Sequence, residues 1–208
     1  MSRVLENIEP KEVLKYFEDI SKIPRASKEE KQISDYLLNF AKTLNLEVVQ
    51  DENLNIYMRK KATPGYENGK TVILQGHMDM VCEKNEGTIH DFKKDPLKLR
   101  VIDGKIYATD TTLGADNGIA VAYIMALMAS KDIPHPEIEA LITVDEETSM
   151  NGAKTFDPSF FRGKYLINID STYDSKLLVS CSGGLRASVT KKVNHEELQG
   201  EIVTIKVR

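Results

Sequence analysis

The run GIAVAYIMALMA, from Gly118 to Ala129, constrains this chain more than any other stretch. As a helix it has no polar stripe, so it must be covered on all sides. It is also well short of the ~20 residues that a bilayer-crossing helix needs. It is therefore core, and the rest of the chain must supply what packs over it. Three short aliphatic runs, TVILQ before Gly76, IEALITV before Asp145 and KYLINI before Asp170, read as strands. Short apolar strands alternating with helices point to an α/β layer fold.

The N-terminal segment supplies two amphipathic helices. Pro10 opens the first, with Val13, Leu14, Phe17 and Ile20 at helical spacing. Ser27 and Glu30 have the spacing of a capping box for the second. In that helix Ile33, Leu37, Phe40, Ala41 and Leu44 share one face. LEVVQ and NIYMRK flank a polar turn and suggest a hairpin. A second hairpin is expected around Asp103-Gly104.

Composition excludes several classes. The chain has 208 residues, and its 28 Lys+Arg against 32 Asp+Glu give a net charge of −4. That balance offers no basic face for nucleic acid. Two cysteines, Cys82 and Cys181, make neither a disulfide framework nor a four-cysteine zinc site, and they fit a reducing compartment. The N-terminus has no apolar segment of the secretory type. The expectation is a cytoplasmic protein with no nucleic-acid or membrane partner.

Polar groups that a core does not need stand at the ends of the predicted strands and at the start of the buried helix. In Gly76-His77-Met78-Asp79, residues two apart in an extended chain share a face. Asp79 can then accept the His77 N–H and raise its basicity as a ligand. Alone, His77 reads as a hydrogen-bonded loop histidine sooner than as a ligand. In LGADNG, Asp116 or Asn117 can serve as a helix cap. The flanking glycines also permit unusual backbone angles at a carboxylate. Asp145, Glu146 and Glu147 repel one another unless a positive charge is near. Asp170 alone would be a turn residue. Together, His77, Asp116, Glu146, Glu147 and Asp170 stand where an open α/β sheet gathers its ligands. One imidazole and several carboxylates match zinc or manganese.

GHMDMV, TTLGADNGIA, VDEETSMNGA and LINID, in this order, resemble the successive motifs of the M20 metallopeptidases, closest in wording to the Xaa-His dipeptidase branch. The resemblance implies a catalytic α/β domain, a mixed sheet flanked by helices, over residues 1–183. The start of an α+β lid and dimerisation domain follows over 184–208, after Gly183-Gly184. It implies two divalent metals, zinc foremost, with manganese or cobalt as alternatives. His77 would ligate the first metal, with Asp79 orienting its ring, and Asp170 would complete that site. Asp116 would bridge both metals, Glu147 would ligate the second, and Glu146 would be the general base. The substrate would be a dipeptide of the Xaa-His type, and the full-length parent a homodimer.

The chain also departs from the family pattern. LRASVTKKV and EIVTIKV, after the glycine pair, read as half-exposed strands, and the second is still in mid-pattern at Arg208. An N-terminal fragment is the expectation, inactive alone. The resemblance implies one more histidine for the second metal, supplied after the lid, and His90, His135 and His195 have no spacing partner that would make one of them that ligand. A related tripeptidase or N-acyl amino acid hydrolase is the nearest alternative, and a non-catalytic binding or assembly relic of the fold the more distant one.

Overall fold

The aliphatic runs form one five-stranded mixed sheet. In the computed structural model, which describes residues 3–171, 175–181, 183–184, 187–194, 200 and 203–206, its strands are β1 (Glu47–Gln50), β2 (Ile56–Lys60), β3 (Val72–His77), β6 (Ile138–Thr143) and β7 (Tyr165–Asn168). Their spatial order is β1-β2-β6-β3-β7. The first hairpin forms as expected, β1 antiparallel to β2, and β2 continues antiparallel to β6. β6, β3 and β7 run parallel, with His77 opposite Thr143 and Gln75 opposite Asn168. Every residue of β6 is buried, as its near-continuous apolar sequence requires for a strand covered on both faces.

The helices are α1 (Lys11–Ile20), α2 (Lys31–Thr43), α3 (Ala115–Ala129) and the short α4 (Asn151–Thr155). α1 packs on α3, α3 on β3, and α2 on β1 and β2. The core is built from the positions that the periodicity selects: Val13, Leu14, Phe17 and Ile20 of α1, and Ile33, Leu37 and Ala41 of α2. They surround Val121, Ile124, Met125 and Met128 of α3. Each such side chain contributes about 1.5–3 kcal/mol of burial. The hairpin of β4 (Leu99–Ile102) and β5 (Lys105–Ala108) stands apart as a two-stranded sheet. Asp103 and Gly104 both have positive φ, 49° and 73°, as its tight turn demands.

Three details differ from expectation. α3 is not covered all round: Tyr123 is half exposed and faces an apolar groove of about 1040 Å³ that Tyr16, Leu74, Leu127 and Ile169 also line. The Ser27–Glu30 capping box does not form, because both side chains are engaged elsewhere, as described below. α4 and a 3-10 turn at Pro158–Phe160 between β6 and β7 have no strong periodicity to announce them.

The chain divides into two compact units, Met1–Thr172 and Tyr173–Arg208. The described residues of the second carry neither helix nor strand, including those within the two runs expected as strands. Alternation alone does not make a strand, since the backbone N–H and C=O groups also need a neighbouring chain.

Candidate metal centre

Because β3, β6 and β7 are parallel, their carboxyl ends open on the same edge of the sheet. His77 is the last residue of β3, Glu146 and Glu147 follow β6, and Asp170 lies two residues beyond β7. Ile169 continues the β7 pairing, donating its N–H to the Gln75 carbonyl at 2.8 Å. Asp116 enters from the first turn of α3. The five residues singled out across the sequence therefore meet at one place. His77 Nε2 lies 3.3 Å from Asp116 Oδ1, 3.8 Å from Glu146 Oε2 and 4.0 Å from Asp170 Oδ2. Two sets of potential ligand atoms, His77–Asp116–Asp170 and His77–Glu146–Glu147, each lie within 4.8 Å of one another and share the imidazole.

Asp79 is fully buried and organises this edge. Its Oδ2 accepts from Ser27 Oγ at 2.8 Å and from the Glu147 N–H at 3.2 Å. Its Oδ1 accepts from the Glu146 N–H at 3.1 Å and faces His77 Nδ1 at 3.2 Å. A carboxylate that accepts on every side keeps a proton on Nδ1, so that when the ring gives up its other proton, as a cation would require, Nε2 is the nitrogen freed toward the acidic groups. Burial lifts the Asp79 carboxyl, but these hydrogen bonds prevail and hold it below the ordinary range. For His77 burial acts downward, and the Asp79 hydrogen bond with the charges of Asp79, Asp170 and Glu146 overrides it, giving about 9. Glu146, Glu147 and Asp170 are all pushed upward, first by burial and then by repulsion from neighbouring carboxylates.

The donor set fits a divalent cation. One imidazole nitrogen and several carboxylate oxygens converge from the ends of rigid strands, a combination suited to zinc or manganese. A cation there would relieve the repulsion that raises the three carboxyls.

Asp145 does not join the cluster. It has φ of +53° and accepts from the hydroxyls of Thr148 and Ser149, so it shapes the turn that presents the two glutamates. His90 packs edge-on against Phe92 at 4.5 Å, and His135 Nδ1 lies 2.6 Å from the Pro136 carbonyl; neither belongs to the cluster. His195 lies outside the described residues.

Supporting residues were misread or missed in the sequence. Ser27 and Glu30 have capping-box spacing, yet Ser27 bonds Asp79, and Glu30 Oε1 accepts from the N–H groups of Lys28 and Asp145, each at 2.9 Å. Neither Asp116 nor Asn117 caps α3: the N-cap is Gly114 and no side chain caps the helix, because the Asn117 amide, after a cis peptide bond, is engaged elsewhere. Its Oδ1 accepts the His77 N–H at 3.0 Å, and its Nδ2 donates to the Ile169 carbonyl at 2.6 Å. One amide thus ties the end of β3 to the segment that carries Asp170. Gly76 makes room for it: a Cβ there would come within 2.5 Å of Asn117 Oδ1. Local pattern cannot reveal these bonds, because each partner is remote in sequence.

Comparison with known proteins bears on this arrangement. The model of peptidase family M20/M25/M40 matches residues 73–189. The cytosol non-specific dipeptidase of Escherichia coli (strain K12) is 37% identical over 204 residues, which is 98% of this chain and 42% of that protein. The crystal structure of aminoacylhistidine dipeptidase from Vibrio alginolyticus superposes with a TM-score of 0.78 at 41% identity, covering 80% of this chain and 34% of that one. A tripeptidase from Staphylococcus aureus gives 0.65 at 25% identity, covering 78% of this chain and 44% of its own. The chain thus spans less than half the length of these relatives.

Proposed function

Because the chain belongs to peptidase family M20/M25/M40, we propose that its strand-end cluster is the catalytic half of a two-metal dipeptidase acting on Xaa-His and other dipeptides. The observation that carries this reading is the convergence of one imidazole, His77, and four carboxylates, Asp116, Glu146, Glu147 and Asp170, at one edge of the sheet. The names of the dipeptidase relatives support the substrate class. In this reading His77, Asp116 and Asp170 hold one cation, and Asp116 with Glu147 contributes to a second. Zinc is the favoured metal. Bound cations of this kind lower the pKa of water and polarise a carbonyl oxygen.

The protein's own groups do the rest. Asp79 fixes the His77 ring and, through the N–H groups of residues 146 and 147, the turn that bears both glutamates. The Glu146 side chain is 30% exposed, so substrate and water can reach it. Its raised pKa brings it nearer the working pH of a general base. Glu146 takes a proton from the attacking water and gives it to the departing amine. The same reading places the protein in the cytoplasm, in keeping with the name of the Escherichia coli relative, and among the described residues no helix is long and apolar enough to cross a membrane. It also makes the full-length protein a homodimer and the 208 residues alone nearly inactive.

Glu146→Gln in the full-length protein tests the assignment. Loss of a general base lowers kcat by about 10²–10⁴-fold, while KM changes little because the contribution is made in the transition state. Near-normal turnover would refute the role. Parallel assays with Xaa-His dipeptides, tripeptides and N-acetyl amino acids separate the dipeptidase from its relatives. Zinc uptake by the chain, abolished by His77→Ala, separates a metalloenzyme from a relic of the fold.

A further inference from the structure

Beneath the acidic cluster lies a buried cation to which the proposed reaction assigns no role. Arg25 is only 2% exposed. Its Nη1 donates to the carbonyls of Met78 at 3.1 Å and Asp79 at 3.4 Å, and its Nη2 donates to the Gly114 carbonyl at 2.5 Å. The first two carbonyls lie just beyond His77, and the third stands two residues before Asp116. The Arg25 carbonyl in turn accepts the Met80 N–H at 3.1 Å, and Ala26 forms a parallel bridge with Met80. The guanidinium therefore spans the two segments that bring His77 and Asp116 to within 3.3 Å of each other.

The surrounding sequence is cleared for this fork. Gly114 has φ of +65°, and a Cβ on it would come within 2.4 Å of Arg25 Nη2. A Cβ on Gly118 would come within 2.7 Å of the same atom and 3.3 Å of Arg25 Cζ. Both glycines of LGADNG are thus needed for close approach to an arginine that is far away in sequence. A planar fork presents its donors from separate nitrogens in fixed directions, whereas the three donors of a lysine all radiate from one nitrogen.

We propose that Arg25 is a positioning residue that sets the spacing between the His77–Asp79 segment and the Asp116 segment, so that cation affinity depends on a side chain that touches no cation. The inference rests on the metal reading above. Residues behind the ligands of a metal site commonly change affinity 10–100-fold when replaced.

The test measures Co²⁺ binding to the 208-residue chain, by calorimetry and by the visible absorption of the bound ion, in four proteins: wild type, Arg25→Lys, Gly118→Ala and the double variant. Arg25→Lys keeps the charge and loses the fork. Gly118→Ala keeps the arginine and displaces it, without requiring positive φ. Each single change is expected to weaken binding about 10–100-fold and to alter the Co²⁺ spectrum. The double variant is expected to be no weaker than the weaker single, because both act through the same group. Leu37→Ala, a core truncation in α2, is the control for general destabilisation and should leave the affinity of the folded protein within about twofold of wild type. Affinity unchanged in Arg25→Lys overturns the proposal, as do fully additive losses in the double variant or an equal loss in the Leu37→Ala control. Should wild type take up no cation, the metal reading itself has failed. Amide exchange then decides the spacing role: the Met80 and Gly118 N–H groups must lose protection in Arg25→Lys, and unchanged protection overturns it.

Discussion

Asn117 offers a direct measure of how tightly the parts of the site are held together. Its amide is 4% exposed, accepts from the His77 N–H and donates to the Ile169 carbonyl. Asn117→Ala strands one buried donor, the His77 N–H, and one partly buried acceptor, the Ile169 carbonyl. At ~1–3 kcal/mol for each group left unpaired, the loss is roughly 2–6 kcal/mol. For a chain of this size that lowers Tm by roughly 4–24 °C, at about 2–4 °C per kcal/mol. Asn117→Asp refines the test, because it has nearly the same shape. Its carboxylate can still accept from His77, but only a protonated carboxyl can donate to Ile169. The pKa of the new group in the folded state is therefore raised above the unfolded value of ~3.9. A raised pKa contributes stability that is fully present below the unfolded value and is lost as pH rises through the folded one. Calorimetry in chelator, from pH 4.5 to 8, should show Asn117→Asp near wild type at the acid end and falling toward Asn117→Ala at the alkaline end. A Tm for Asn117→Ala within about 1 °C of wild type would refute the bridging role, given the scale above. A pH-independent offset for Asn117→Asp would refute the donor assignment.

Two other perturbations probe separate parts of the molecule. In the metal-free chain His77 holds its proton to about 9, above the unfolded value of ~6.5. Its contribution to stability is complete below pH 6.5 and fades toward pH 9, so Tm in chelator should decline across that window, and less steeply in His77→Gln. With zinc present the slope should reverse, because the cation takes the neutral imidazole; the same decline with and without zinc would count against the site. Far from the cluster, Glu139 in β6 is fully buried and accepts from the N–H groups of Arg162, at 2.9 and 3.2 Å, and Gly163, at 3.2 Å. Glu139→Ala leaves both donors unpaired and should cost roughly 2–5 kcal/mol, with Glu139→Gln milder. Equal Tm values for the three proteins would show that this carboxylate does not anchor the approach to β7.

Much of this architecture is legible in the sequence because burial writes itself as periodicity. The faces of α1 and α2, the apolar run within α3 and the buried β6 could be read from spacing and composition. The ligand candidates were legible for a related reason: acidic groups and a histidine at the ends of apolar strands have no structural purpose there. The supporting bonds were not. Ser27 and Glu30 illustrate the limit, since a capping box is a local motif and their actual partners, Asp79 and Asp145, are distant. Arg25 and Asn117 are invisible for the same reason, as is the turn role of Asp145 among three adjacent carboxylates.

The pairing of β3 with β7 couples chemistry to alignment. Successive residues of a strand point to opposite faces, so a shift of one position turns every side chain over. Such a slip between these two strands would carry Asp170 away from His77 and present Ile169 or Ser171 instead. A cation held by residues 77 and 170, as proposed, would therefore reward a single alignment of the sheet.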